Sequence, residues 1–358
     1  MAERLRDAGH DIAFVGTPTG LEARIVPEAQ VLFHSLPSRG FDRARPWTLV
    51  TSGFIAGASV FRAVRLIRGM SADVVVGFGG YVSIPVGLAA VITRTPLVLH
   101  EQNSVPGLAN KLLSRWATAV GVTYETSIAS LRHPERALVT GNPVRDAVLK
   151  ADRSRGRTSL DLPDDALVLL VFGGSRGARH LNQATVSLCD AWMSIPGLHV
   201  VHVAGRGEVD SVREALVAQG GDKGRYHVLD YIDDMGSAIA AADLVVARAG
   251  ATSLAELTVL GRPAVLVPYP FATDDHQTLN ARTVVEAGGA VLVTDADLDS
   301  QRFVDECTRL LTDGAARATM SAASKALGRP DAAEAVAEMT RSCVHDSAVD
   351  GGSGEATL

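Results

Sequence analysis

The sequence predicts a doubly wound α/β fold with parallel sheets, built as two similar halves, and three observations carry that prediction. Short apolar runs such as Leu244 to Ala247 and Ala166 to Phe172 stand between polar residues and are too brief for helices, the pattern of strands buried on both faces. Each is followed by a Gly- or Pro-rich turn and then by helical spacing, the alternation that produces parallel sheets. The alternation runs through both halves of the chain, and 358 residues are enough for two domains of ordinary size.

The totals narrow the class. A hydrophobic content of 47% with 21% charged residues is that of a folded globular protein. A formal net charge of -6 argues against general affinity for nucleic acid, because phosphate binding needs clustered Lys and Arg. Three separated cysteines, Cys189, Cys307 and Cys343, without Cys-x-x-Cys or His-x-x-x-His spacing, point to a reducing compartment and no metal site. The N-terminus MAERLRDAGHD is charged and has no apolar core, so no secretory signal is expected. The most apolar region, Tyr81 to Leu99, is interrupted by Pro85, Arg94 and Pro96 and falls short of the roughly 20 residues of a spanning helix.

In chain order, Ala2 to Ala8 reads as the last turns of a helix stopped by Gly9, and Asp11 to Gly16 as a strand. A doubly wound domain starts with a strand and a tight turn ahead of such a helix, so the chain enters midway through the pattern. Between Val31 and Met70, Arg39, Arg43 and Arg45 precede Trp47, and Arg62, Arg65 and Arg68 accompany Phe54, Ile55, Phe61 and Ile67. An amphipathic segment with a basic side can lie in a membrane interface; an ordinary helix packed on its own domain is the other reading. Asp73 to Phe78 is a strand running into Gly79-Gly80, either a bare tight turn or a backbone cradle for an anion. Pro96 to Leu99 is a strand ending in His100-Glu101-Gln102-Asn103, and Ala137 to Thr140 is the last strand of this half. Gly141-Asn142-Pro143-Val144-Arg145 is a proline-stiffened hinge, and Lys150 to Asp165 reads as a polar linker.

The second half opens with the strand Ala166 to Phe172 and the turn Gly173-Gly174-Ser175-Arg176-Gly177-Ala178, which leads into a helix carrying Asn182. That turn is neither a Walker A loop nor a Gly-x-Gly-x-x-Gly fingerprint, so ATP and NAD are poor candidates and no cofactor is expected. A strand around Val200 and another from Tyr226 to Leu229 follow, then Asp230 to Met235, where Asp233 and Asp234 suit helix caps. Ala242 to Ala281 is the centre of the chain. There the strand Leu244 to Ala247 turns at Arg248-Ala249-Gly250 into helical spacing from Ala251 to Leu260. The strand Ala264 to Pro268 then ends in a loop before Asp275-His276-Gln277 opens the next helix. Two strand ends and two helix starts thus face one crevice, where an open parallel sheet binds its ligand. Free N–H groups at a helix start suit a diphosphate, and a carboxylate one turn in can bridge the hydroxyls of a ribose. Taken singly, Glu256 fits an exposed helix position equally well, and Arg248 a surface charge. After Asp299 two helical stretches, separated by Gly328-Arg329-Pro330, close the chain, and the polar tail 346–358 is expected to carry no structure.

The combination of Arg248, Gly250-Ala251, Glu256, Pro268, Asp275-His276-Gln277 and Asn280-Ala281 resembles the donor-binding half of the GT-B glycosyltransferases. The strings GFGGYVSIP and HEQNSVPGLANK resemble, in the acceptor half, the members of glycosyltransferase family 28 that use a lipid-linked acceptor. The resemblance implies two Rossmann-like domains facing across a cleft, with the first strand and glycine-rich loop of the N-terminal domain missing. It implies an acceptor and membrane-facing domain over 1–145, completed by a C-terminal helix at about 322–345, and a UDP-sugar domain over 146–321. The activity it implies is inverting transfer of N-acetylglucosamine from UDP-N-acetylglucosamine to the C4 hydroxyl of the muramyl sugar of undecaprenyl-pyrophosphoryl-MurNAc-pentapeptide. That chemistry belongs to peptidoglycan synthesis, beside other cell-wall synthesis proteins, on the cytoplasmic side of the cell membrane.

By the same resemblance Glu256 holds the ribose, Gln277 beside His276 the sugar hydroxyls, and Ile232 the uracil through its backbone. Arg248 lies near the diphosphate, Arg145 reaches the donor, and Asn103, Ser175 and Asn182 touch substrate. In the family the usual candidate for the acceptor-side base is a histidine at the end of the first glycine-rich loop. This sequence has no such loop, which leaves His100 and Glu101 as the nearest candidates and suggests a start placed downstream of the true one. As it stands, the chain is expected to bind the UDP-sugar and transfer poorly. The alternatives are a glycolipid synthase that uses diacylglycerol and shares the donor half, and a nucleotide-sugar-binding scaffold without catalysis.

Overall fold

A computed structural model describes the chain except residues 38–47, 175–178, 221–223 and 352–358 and the side chains of 48–56 and 345–351. Two compact units emerge, Met1–Asn142 together with the chain from Asp331 onward, and Pro143–Pro330. The first contains α1 (Ala2–Asp7), β1 (Ala13–Gly16), α2 (Glu22–Glu28), β2 (Leu32–Ser35), α3 (Thr48–Gly69), β3 (Val75–Gly77), α4 (Ser83–Thr93), β4 (Leu97–Glu101), α5 (Leu108–Leu113), β5 (Ala119–Val122) and β6 (Ala137–Val139). The second runs through α6 (Asp146–Leu149), α7 (Arg153–Ser159), β7 (Leu167–Phe172), α8 (Arg179–Ser187), α9 (Cys189–Met193), β8 (Leu198–Val203), α10 (Val209–Ala218) and β9 (Tyr226–Leu229). It continues with α11 (Met235–Ala241), β10 (Leu244–Ala247), α12 (Ala251–Val259), β11 (Ala264–Leu266), α13 (His276–Glu286), β12 (Ala290–Leu292), α14 (Gln301–Thr312) and α15 (Gly314–Ala326). The closing helix α16 (Ala332–Gly351) belongs to the first unit.

In the first unit β1 pairs with β2, and β3-β4-β5-β6 form a second sheet, all parallel. Every residue of β4 is buried, because the two sets of alternating side chains meet different layers. Leu97 and Leu99 pack with Ala63 and Ile67 of α3 and Ala89 and Ala90 of α4, while Val98 packs with Val336, Met339 and Cys343 of α16. Strand β4 extends two residues beyond the Pro96 to Leu99 predicted from sequence. His100 and Glu101 are therefore the end of a buried strand, paired with Gly121 and Val122, and not a loop. On α3, Ser59, Ala63 and Ile67 form the buried stripe and Phe61, Arg62, Arg65 and Arg68 face outward. Arg39, Arg43, Arg45 and Trp47 lie outside the described residues, as do the side chains of Phe54 and Ile55.

The second unit is one six-stranded parallel sheet in the order β12-β11-β10-β7-β8-β9. The chain winds outward from β7 to β9, returns to the centre at β10, and winds the other way to β12. The carboxyl ends of β7 and β10 thus flank the switch point of the sheet. One face carries Trp192, which meets Phe303 edge-on at 6.4 Å between centroids, and the other carries α7, α11 and α12.

Three expectations need correction. The stretch from Lys150 to Asp165 is no linker. Asp152 caps α7 by accepting from the Arg155 N–H, α7 packs on α11, and Arg157 is buried. Arg157 reaches Asp243 at 3.2 Å, and Asp243 also accepts from Arg153 and from the Val168 N–H at the start of β7. The long helical stretch after Asp299 is broken at Asp313, whose carboxylate accepts from the Ala316 N–H and starts α15. The closing helix begins at Ala332, after the Gly328-Arg329-Pro330 break, and runs past Asp346 to Gly351, since no breaker occurs before Gly351-Gly352.

Candidate active site

The best-defined corner lies where β10 leads into α12. All four residues of β10 are buried, and Gly250 sits before α12 with extended φ/ψ of -68° and 142°. Gly250 has no side chain to cap this helix, and among the described residues no side-chain cap is made to the N–H groups of its first turn. Glu256 lies in the second turn on the same helix, only 6% exposed. Burial raises its carboxyl pKa above the ordinary value, opposed by Arg145, whose Nη2 donates to Oε1 at 3.3 Å. The Arg145 side chain is 63% exposed, so the pair is loosely held and water or a ligand can take either partner. Sequence reasoning placed both residues at the donor. It did not see that they hold each other, because a contact between positions so far apart leaves no local signal.

The loops after β11 and β12 complete this edge. Gln277, in the first turn of α13, accepts from the Tyr269 N–H through Oε1 at 2.9 Å, which leaves its NH2 group to donate. The turn before it is made by Asp274 and Asp275, both in the left-handed region at φ 51°, which aspartate tolerates better than most side chains. His276 holds the same turn through Nδ1 and the Thr273 carbonyl at 2.7 Å. Arg248 does not present a free charge here. Its Nη1 lies 2.6 Å from Asp295 Oδ1 and donates to the carbonyls of Val267 and Pro268, and its side chain is 8% exposed above the ring of Tyr269. The expected contact of Arg248 with a diphosphate gives way to a clamp that holds the carboxyl ends of β10 and β11 against the loop after β12, with the charge neutralised by Asp295.

On the other side of the switch point, β7 runs into Gly173-Gly174, and α8 follows. Ser175 lies outside the described residues. Asn182 is buried in the body of the unit: its Nδ2 donates to the Ala204 carbonyl and its Oδ1 meets His202 Nε2 at 2.9 Å. Its carboxamide ties α8 to β8, and both ends are engaged. Ile232 follows β9 half-buried against the core, and Asp234 next to it caps α11 through the Ser237 N–H.

In the first unit, His100 and Glu101 are sealed. His100 Nε2 meets the Gly141 carbonyl at 2.9 Å and Nδ1 meets Gln102 Nε2 at 3.3 Å, and burial lowers its pKa. Glu101 accepts from the N–H groups of Asn103 and Gly107 and from Asn110 Nδ2 at 2.8 Å. Every basic atom of the pair already has a partner, in the turn between β4 and α5 or at Gly141 after β6, so this placement gives neither residue an acceptor proton to take. Asn103 is half-exposed above them and carries the polar edge of that turn. Asn110, which organises the network through both the His100 carbonyl and Glu101, was not foreseen; HEQNSVPGLANK contained it, but nothing in the spacing marks it.

Two parallel-sheet units, the second with a buried carboxylate and a helix start at its switch point, are the architecture of the two-domain glycosyltransferases. The chain belongs to glycosyltransferase family 28: the C-terminal domain of that family matches residues 168–336 and the N-terminal domain residues 1–122. A relative from Desulforudis audaxviator is 40% identical over 332 residues, 92% of this chain and 89% of the relative. One from Salinibacter ruber is 40% identical over 326 residues, 91% and 86% of the two chains. Both are UDP-N-acetylglucosamine–N-acetylmuramyl-(pentapeptide) pyrophosphoryl-undecaprenol N-acetylglucosamine transferases. The crystal structure of Acinetobacter baumannii MurG superposes with a TM-score of 0.74 at 28% identity, covering 95% of this chain and 93% of that one.

Proposed function

We propose that this chain moves N-acetylglucosamine from UDP-N-acetylglucosamine to the C4 hydroxyl of the muramyl sugar of undecaprenyl-pyrophosphoryl-MurNAc-pentapeptide, the reaction in the names of its relatives. The observation that carries the reading is the buried Glu256 carboxylate in the second turn of uncapped α12. A carboxylate there accepts from two vicinal hydroxyls of a ribose, and the open N–H groups and partial positive charge of the helix start face the attached diphosphate. Gln277 donates from its NH2 to a sugar hydroxyl. As the bond from the sugar to the diphosphate breaks, negative charge builds on the leaving UDP. The helix start and Arg145, the exposed arginine of this corner, stabilise it. The acceptor oxygen attacks from the opposite face in a single inverting displacement and gives up its proton to a base.

The acceptor is carried by a membrane, and the first unit has a surface suited to one. Leu108, Leu112 and Trp116 on and after α5 are exposed, with Lys111 exposed between them and the Arg115 guanidinium 5.1 Å from the Trp116 ring. Arg62, Arg65 and Arg68 with Phe61 line the outer face of α3. Apolar side chains interleaved with basic ones support peripheral attachment to the anionic inner face of the cytoplasmic membrane. No helix among the described residues is long and apolar enough to cross it.

The test is turnover of UDP-N-acetylglucosamine with two acceptors in mixed vesicles, the lipid-linked muramyl pentapeptide and diacylglycerol, read by mass spectrometry. Product from the muramyl lipid alone is expected. Product from diacylglycerol alone assigns the chain to glycolipid synthesis instead, and donor binding without product from either makes it a scaffold.

A further inference from the structure

A charged chain of side chains runs across the switch point of the second unit and is not used by the reading above. His180, in the first turn of α8, places Nδ1 2.8 Å from Asp295 Oδ2 and Nε2 3.0 Å from Asp299 Oδ2. Asp295 Oδ1 is in turn 2.6 Å from Arg248, which grips the carbonyls of Val267 and Pro268 at the end of β11. A neutral imidazole has one N–H and one lone pair, so it can satisfy only one of two flanking carboxylates and repels the other. Two carboxylate contacts at these distances require the imidazolium. Hydrogen bonds donated to Asp295 and Asp299 raise the pKa of His180, and His180 together with Arg248 outweighs burial and lowers that of Asp295.

We propose that protonated His180 is a positioning residue for donor binding. It fastens the start of α8 to Asp295 and, through Arg248, to the strand ends that lead into α12 and α13, and the fastening opens when His180 loses its proton. The inference rests on the assignment of the donor to this corner. Among the described residues the other charges nearby are matched: Arg179 pairs with Glu208 at 3.0 Å on the α10 side, and Asp297 of the loop that carries Asp295 lies 3.6 Å from Arg302. Asp299 is largely exposed, so Asp295 is the partner that carries the fastening. The sign follows from linkage: a raised pKa means that the proton stabilises the fastened form, so donor affinity is full at low pH and is lost as pH rises through the His180 pKa.

The experiment is calorimetric titration of UDP-N-acetylglucosamine into the full chain between about pH 6 and pH 8.5, where both phosphates of the ligand stay ionised. Wild type, His180→Gln and His180→Arg are compared, and the His180 ring is followed by NMR in the same range. The wild type is expected to lose about tenfold in affinity across the range, the equivalent of one pKa unit of coupling. His180→Gln should bind at the weak, high-pH level throughout. His180→Arg keeps a permanent charge and should bind near the strong, low-pH level throughout. The effect should fall on the donor KM with kcat nearly unchanged. A flat wild-type profile, a His180→Gln profile parallel to wild type, or an NMR pKa at or below the ordinary histidine value overturns the proposal. Absence of binding heat in all three proteins at every pH overturns the donor assignment instead, while the NMR titration still reports on the His180–Asp295 contact by itself.

Discussion

Replacing Glu256 probes the donor corner most directly. The carboxylate is almost fully buried and its partner among the described residues, Arg145, is a mostly exposed side chain at 3.3 Å, a contact worth under about 1 kcal/mol. A ribose that displaces Arg145 therefore gives up little and gains two hydrogen bonds to a charged acceptor, each contributing roughly 1.5–3 kcal/mol. Because the two share one carboxylate they do not add fully, and about 3–4 kcal/mol is the reasonable sum. Glu256→Ala should weaken UDP-N-acetylglucosamine by about 150- to 1,000-fold, since each 1.4 kcal/mol is a factor of ten. Glu256→Gln keeps one acceptor oxygen without the charge and should lose roughly 10- to 50-fold. Isothermal titration calorimetry on the folded variants measures both. An affinity for Glu256→Ala within about threefold of wild type refutes the placement of the ribose on α12, whatever the turnover assay shows.

Three stability effects are expected in the second unit. Asp243→Ala leaves the buried Arg157 guanidinium and the Val168 N–H without their carboxylate and should cost about 3–5 kcal/mol in urea unfolding. Gly156→Ala brings a methyl group within 2.0 Å of the Ser237 carbonyl oxygen, where backbone must move. It should cost at least about 1–3 kcal/mol, read as a lower Tm. His202 is buried with its pKa depressed to about 4, between Tyr226 OH and Asn182. The unfolded chain takes up its proton first, so stability is full above the ordinary histidine pKa and falls as pH drops from there toward pH 4. The loss is about 3 kcal/mol, and a urea series in pH on wild type should show a slope that His202→Gln removes.

The legible part of the fold is the part buried on both faces. LVLLVF in β7 and LVVA in β10 have no polar position to confuse them, and the turns after them announce the helices. Strands β2, β5 and β12 passed unassigned: LFHS mixes histidine and serine into an edge strand, AVGV is small and short, and β12 is a brief edge strand half-buried at two of its three positions. Helix α7 was hidden because RSRGRTS carries no apolar stripe. It packs through a glycine that lets two backbones touch and through an arginine whose partner, Asp243, lies on another element.

The site divides in the same way. Glu256 and Gln277 could be assigned to their helices because each lies within the first two turns of a helix that follows a strand, a local geometry that spacing encodes. Arg248 could not, because an arginine at a strand end looks the same in sequence whether it meets a phosphate or Asp295. His100 and Glu101 were expected to be accessible at the strand's end because polar types after an apolar run look like an exposed terminus. Their burial depends on Asn110, Gly141 and the pairing with β5, none of which sequence position reveals.

The division of the chain into a contiguous second unit and a first unit assembled from both ends has a consequence for biosynthesis. Val98 is covered by Val336 and Met339, yet the ribosome makes them on either side of the whole second unit. At about 5–20 residues per second, that interval is on the order of 10–40 s. During it, residues 143–330 can gather as one contiguous unit, while the earlier half waits without the helix that covers Val98. The order of maturation thus runs against the order of synthesis, and the last helix to emerge completes the domain that was begun first.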